Sequence, residues 1–148
     1  MASSSKHRTT RRAAVVGVAV GVICLLSACL GPQQVAVQRA MNADRTANRL
    51  GALPINYEAQ AKAQAWAERL AREDRLYHSQ LPDGIHSRWC SLGENVGYGP
   101  SVPTIESAYM NSPGHRANIL ATKWNGVGTG YATNGTRVYT VQVFIKTC

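Results

Sequence analysis

The chain has 148 residues, with sixteen Lys or Arg against eight Asp or Glu and a formal charge of +8. That length suits one domain with one sizeable core. The cations outside the first segment (Arg45, Arg49, Arg69, Arg72 and Arg75 among them) are scattered over predicted helices with no dense basic run. This excludes a nucleic-acid binder and leaves solvated helix faces, with at most a bias toward anionic envelope polymers.

Lys6, Arg8, Arg11 and Arg12 precede fifteen uncharged residues, Ala13 to Ser27. The run falls short of the roughly 20 residues of a membrane span, and its cationic flank predicts an export signal rather than a retained anchor. Leu26-Ser27-Ala28-Cys29 resembles the lipobox of bacterial lipoproteins. The resemblance implies removal of residues 1–28, lipid on Cys29 and tethering to the outer face of the bacterial cell membrane, where two acyl chains anchor firmly. Thr10-Arg11-Arg12 is also similar to a twin-arginine export signal. Four of the sixteen basic residues and none of the acids lie in this leader, so half of the formal charge belongs to targeting. Cys24 goes with the leader and Cys29 with the lipid. Cys90 and Cys148 remain, as a disulfide in an exported domain or as two free buried thiols. A bridge would pin the last strand to the loop before Gly93.

After a tether at 29–34, where Gly31-Pro32 is expected to break any helix, a domain at 35–148 is predicted. Helical spacing runs from Gln33 to Leu50 through Val37, Ala40, Met41 and Ala47, with Gly51 as the C-terminal cap. Asn56 is a plausible N-cap for the longest helix, Tyr57 to Tyr77, which buries Ala59, Ala63, Trp66, Leu70 and Tyr77, with Ala67 beside them. His78 to Gly93 reads as a long loop, and Glu94 to Tyr98 as a short strand. Thr104 to Asn111 and Arg116 to Leu120 read as short helices around Ser112-Pro113-Gly114. Val127, Thr129 and Tyr131 alternate in a strand, Asn134-Gly135 predicts a two-residue hairpin, and Arg137 to Lys146 is a β-branched strand. Helices first and an antiparallel hairpin last give the α+β class.

His78, Glu94 and His115 stand near glycines or turns rather than in periodic stretches. Two imidazoles and a carboxylate suit zinc or another divalent cation, and the same trio could move protons. On spacing alone the plainer reading prevails: two unrelated loop histidines and an exposed acid. Ser79, Ser91 and Ser112 lack a nucleophile elbow, and Ser112 reads as a helix-end residue. His86 is expected in solvent and Trp66 in the core, with Trp89 and Trp124 at a surface or cleft. Asn95 is expected to satisfy loop backbone, and Arg116 and Asn118 to brace the loop around His115.

Five segments occur in order: Leu76-Tyr77-His78-Ser79, Gly93-Glu94-Asn95-Val96-Gly97-Tyr98-Gly99, Asn111 to Leu120, Val127-Gly128-Thr129-Gly130-Tyr131 and Tyr139 to Phe144. Together they resemble a bacterial SCP-like protein of the CAP superfamily, which includes cysteine-rich secretory, antigen 5 and pathogenesis-related proteins, over nearly all of 35–148. The resemblance implies a three-layer α-β-α sandwich with a central antiparallel sheet and a cleft lined by two histidines and two acids. His78 and His115 match the histidines, which can hold a divalent metal, and Glu94 matches one acid. Ser112 stands where the second acid is expected, and Glu106, about two helical turns earlier on a different face, is a poor substitute. The expected function is a tethered, monomeric binding module whose cleft takes a small apolar or envelope-derived ligand, with or without metal. The alternatives are a hydrolase of peptide or cell-wall bonds using Glu94 as general base or metal-bound water, and a structural or adhesive surface protein.

Overall fold

The computed structural model describes residues 30–148. The leader, Cys24, and Cys29 with its expected lipid lie outside the described residues. Helix α1 spans Pro32–Ala47 and α2 spans Tyr57–Glu73. Strand β1 (Trp89–Gly99) is followed by α3 (Val102–Asn111), α4 (Pro113–Leu120), β2 (Gly126–Thr133) and β3 (Val138–Thr147). Among the described residues no helix is long and apolar enough to cross a membrane.

Several element ends differ from the sequence reading, each for a local reason. Pro32 starts α1 rather than breaking a helix, because proline at the first helical position gives up an N–H that would lack a partner anyway. The Gln34 side chain reaches back to the Gly31 N–H at 2.6 Å. At the other end the left-handed residue is Arg49 (φ 63°), not Gly51. Asn56 does cap α2, accepting from the Ala59 N–H at 3.0 Å, but the helix stops at Asp74 (φ 47°), short of Tyr77. The hairpin loop holds four residues, 134–137, rather than two. The Asn134 side chain accepts from the N–H groups of Thr136 and Arg137 and so builds the turn itself.

The sheet is antiparallel throughout, in the order β1-β3-β2, with Gly93 opposite Phe144 and Gly128 opposite Val143. Alternation sends Tyr139, Val141, Val143 and Ile145 to one face, where they pack with Ala59, Ala63, Ala67 and Leu70 of α2. Phe144 and Val127 face the other way, onto Met41 of α1, Ile105 and Tyr109 of α3, and Ile119 of α4. The result is the three-layer sandwich: α2, then the sheet, then α1, α3 and α4. Both cores lie within 30–148. Cys90 and Cys148 form a disulfide with Cα atoms 5.6 Å apart, joining the paired ends of β1 and β3. Closing a loop of that size stabilises the fold by about 4 kcal/mol in the chain-entropy picture.

Candidate functional site

Strand β1 lies at one edge of the sheet, and its register decides what each face receives. Leu92 and Val96 join the α2-side core, so Glu94 between them shares that face. Gly93, Asn95 and Gly97 point to α3 and α4. A methyl group on Gly97 would sit 2.8 Å from the Tyr109 ring and hydroxyl, so glycine there lets α3 lie directly on the strand.

Glu94 is almost wholly buried and takes three hydrogen bonds from the segment after α2. Its Oε1 accepts from His78 Nδ1 at 2.7 Å and from the Ser79 N–H at 2.9 Å, and its Oε2 accepts from Ser79 Oγ at 2.6 Å. A carboxylate can only accept, so Nδ1 of His78 carries the proton and Nε2 is the open nitrogen of a largely exposed ring. Glu94 therefore fixes the orientation of the His78 ring.

His115 arrives from the other side of the sheet on α4. Its ring tilts against Tyr109, centroids 5.0 Å apart, and the Tyr109 hydroxyl is held by Thr140 at 3.0 Å. Burial, and secondarily the nearby charge of His78, push His115 below the ordinary histidine range. Between the supporting segments of the two histidines opens a hollow of about 220 Å³, lined by Leu76, Val96, Tyr98, Ile105 and Tyr109 among others, with His115 and Ser112 as its polar side chains beside the Tyr109 hydroxyl. Leu76 and Tyr98 stand exposed at its rim.

These donors do not complete a metal centre from protein alone. Glu94 has both oxygens committed, and among the described residues no three His, Cys, Asp or Glu side chains are grouped to hold an ion. Zinc sites ordinarily take three or four protein ligands. Glu106 supplies no second acid to the cleft. It is buried against Gln142 and lines a different cavity, between α1 and α3.

The supporting residues divide. Asn95 is fully buried, donating to the His115 carbonyl and to Gln142 Oε1. Asn118 donates to the Glu94 carbonyl and to Asn95 Oδ1, tying α4 to β1. Arg116 does not join them; it points away to Asn48 on the surface. Ser112 is the shared residue between α3 and α4, its carbonyl accepting from the Arg116 N–H. The tryptophans exchange roles. Trp124 is buried, stacked on Phe144 with its N–H donated to the Asn118 carbonyl, because Gly93 leaves it room. Trp66 is half-buried under Arg69, edge-on to Tyr77. Trp89 and His86 are exposed, and Ser91 lies half-buried in β1. Sequence reasoning missed the part of Ser79, which supplies two of the three bonds to Glu94; its place beside His78 was the available signal.

Comparison with known proteins matches this geometry to a family. The model of the cysteine-rich secretory protein family, CAP, matches residues 38–145. An uncharacterized protein of Bacillus subtilis, YkwD, is 28% identical over 114 residues, covering 71% of this chain and 44% of that protein. The chain thus spans less than half the length of this curated relative. A cysteine-rich secretory protein from Staphylococcus aureus superposes with a TM-score of 0.66 at 24% identity, over 77% of this chain and 38% of that one. An outer surface protein from Borrelia burgdorferi gives 0.68 at 17% identity, over 78% and 93%.

Proposed function

The chain belongs to the cysteine-rich secretory protein (CAP) family, and from that premise we propose that it is an extracellular, membrane-tethered, monomeric binding module whose cleft takes a small apolar or envelope-derived ligand. The observation that carries this reading is the hollow at the edge of β1, walled mainly by apolar side chains with a few polar groups at one end. At about 220 Å³ it is smaller than the roughly 300 Å³ at which drug-sized pockets begin, and it suits one ring or a short acyl segment. Placement outside the cell is supported by the leader, by the disulfide, and by relatives described as secretory or as outer surface proteins.

A divalent cation would engage the cleft through His78 and His115, and weakly, for lack of a third protein ligand. Hydrolysis has no comparable support. Glu94 is closed off from water with both oxygens already accepting from His78 and Ser79, and the Ser79 hydroxyl is bonded to that carboxylate rather than set on an imidazole.

The test uses residues 30–148 and the apolar dye anilinonaphthalenesulfonate. Its fluorescence should rise to saturation with the wild type and stay flat with Ala108→Phe and with Leu76→Asp, which fill or charge the hollow at exposed positions. Saturation by both variants would sink the reading. The tether is tested separately, by incorporation of a fatty-acid label into cells, which Cys29→Ser should abolish.

A further inference from the structure

The hydrogen bonds of Glu106 do not balance if it is a carboxylate. The residue is 5% exposed, and its Oε2 accepts from Gln142 Nε2 at 2.7 Å. Its Oε1 is cut off from solvent and has no donor within reach. Across the seam between α3 and α1 stands another acceptor, the carboxyl of Asp44, which lines the same cavity as Glu106. That cavity measures about 340 Å³ and is also lined by Ser107 and Asn111. A buried carboxylate oxygen aimed at a second carboxylate, with no cation beside it, is strongly unfavourable.

We infer that Glu106 is a neutral carboxylic acid that donates through Oε1 to the Asp44 carboxylate, so that one shared proton latches α3 to α1. With the proton on Oε1, every buried polar atom of Glu106 is satisfied at once: Oε1 donates to Asp44 and Oε2 accepts from Gln142. Burial, reinforced by the Asp44 charge, pushes Glu106 up to about 8 against the opposing pull of the Gln142 amide.

The groups facing it from each neighbouring element leave no other source of balance. Beside Asp44 on α1 stands Arg45, whose guanidinium is taken up by the carbonyls of Gly51, Ile119 and Ala121. On α3 itself Tyr109 is held neutral by burial. The ionisable side chains of α4 are His115 and Arg116, the latter turned to Asn48 on the surface, and that of β1 near this level is Glu94, on the opposite face and bonded to His78. From β3 comes the uncharged Gln142. That amide is not isolated, since its Oε1 accepts from Asn95, which also donates to the His115 carbonyl. A directed chain of amides therefore runs from the latch to the wall of the cleft.

The sign follows from the raised value. The native state keeps a proton that the unfolded chain has released above about pH 4.5, so the latch is strongest in mild acid. Its contribution falls as pH rises from about 4.5 to about 8 and then stays constant.

The inference goes beyond the binding proposal, and its test uses no cleft ligand. Unfolding of residues 30–148 by urea is measured at about pH 5.5 and about pH 9 for the wild type, Glu106→Gln and Asp44→Asn. The uncharged amide that Glu106→Gln introduces can donate to Asp44 and accept from Gln142 at every pH. The ratio of wild-type to Glu106→Gln unfolding constants should therefore rise by at least about tenfold between the two conditions. An unchanged ratio would overturn the proposal. So would stabilisation of the wild type, but not of Glu106→Gln, by calcium or magnesium, since the ligand would then be a metal ion. If the variants fail to fold, the side-chain amide resonance of Gln142 in the wild type decides. Movement with a midpoint near 8 supports the latch, and movement only near 4.5 overturns it.

Discussion

The two edges of the sheet are finished in opposite ways. At the β2 edge, α2 comes so close that side chains have no room. A methyl on Gly128 would lie 2.0 Å from the Ala59 backbone, and one on Gly130 would lie 2.1 Å from the Ala63 carbonyl. The outward peptide groups of β2 are taken by two glutamines of that helix: Gln60 bridges the N–H and C=O of Thr129, and Gln64 bridges those of Tyr131. At the β1 edge the helices α3 and α4 rest on one face of the strand rather than beside its outward edge. Loop and helix ends reach over it from both faces, and between them remains the hollow lined by His115, with the largely exposed His78 ring outside its wall. An exposed edge invites pairing with another chain, and this fold seals one edge with glutamine amides and covers the other with a site. The tight backbone packing lies at the first edge, and the proposed binding hollow at the second.

Gly128→Ala should break that division most severely, because backbone rather than a yielding side chain meets the new methyl. A loss of about 3 kcal/mol or more is expected in urea unfolding; less than about 1 kcal/mol would mean that α2 can lift off β2. Gln60→Ala comes next. It strands a buried N–H and C=O of Thr129, which should cost about 2 kcal/mol. At the other edge the equivalent deletion should matter less. Asn118→Ala removes bonds of 3.2 and 3.0 Å to the Glu94 carbonyl and Asn95, in a place water can enter, for about 1 kcal/mol. Leu76→Ser, at 44% exposure, should change stability by no more than about 0.5 kcal/mol while weakening dye binding to the hollow. If Asn118→Ala or Leu76→Ser proved as damaging as Gln60→Ala, the division between the edges would fail.

The sealed edge was largely legible in the sequence and the open one only in part. Asn56 before an alanine-spaced helix, and valine, threonine and tyrosine alternating with glycine in β2, announce packing through period alone. The start of β1 was not legible. Ser91, Gly93 and their neighbours have little strand preference of their own, and pairing with the β-branched β3 makes the strand. For the same reason a loop expected from His78 to Gly93 ends at Arg88. The site segments were found through His78, Glu94 and His115, but chain order cannot show that both oxygens of Glu94 are taken by its neighbours. Nor can it show which tryptophan is buried, since that depends on the space Gly93 leaves for Trp124 from another element. Glu106 was the least legible. A charged residue on a short helix reads as surface until Gln142 and Asp44 are brought against it.

The smallest effect tests the geometry of the open edge most directly. Burial and the charge of His78 both hold His115 below its usual value, so the folded state favours the neutral ring. That preference stabilises the fold fully above about pH 6.5, the value of a free histidine, and is lost as pH falls through the lower folded value. Its slope is opposite to that of Glu106 where their ranges overlap, so unfolding data alone would blur it. Site-resolved titration of the His115 ring by NMR separates the two. The midpoint should lie below 6.5 in the wild type and move part of the way back in His78→Ala, since burial remains when the neighbouring charge is gone. A midpoint that ignores His78→Ala would place the two rings beyond each other's field. Burial alone would then hold His115 down, and the His78 ring would have no electrostatic part in the hollow.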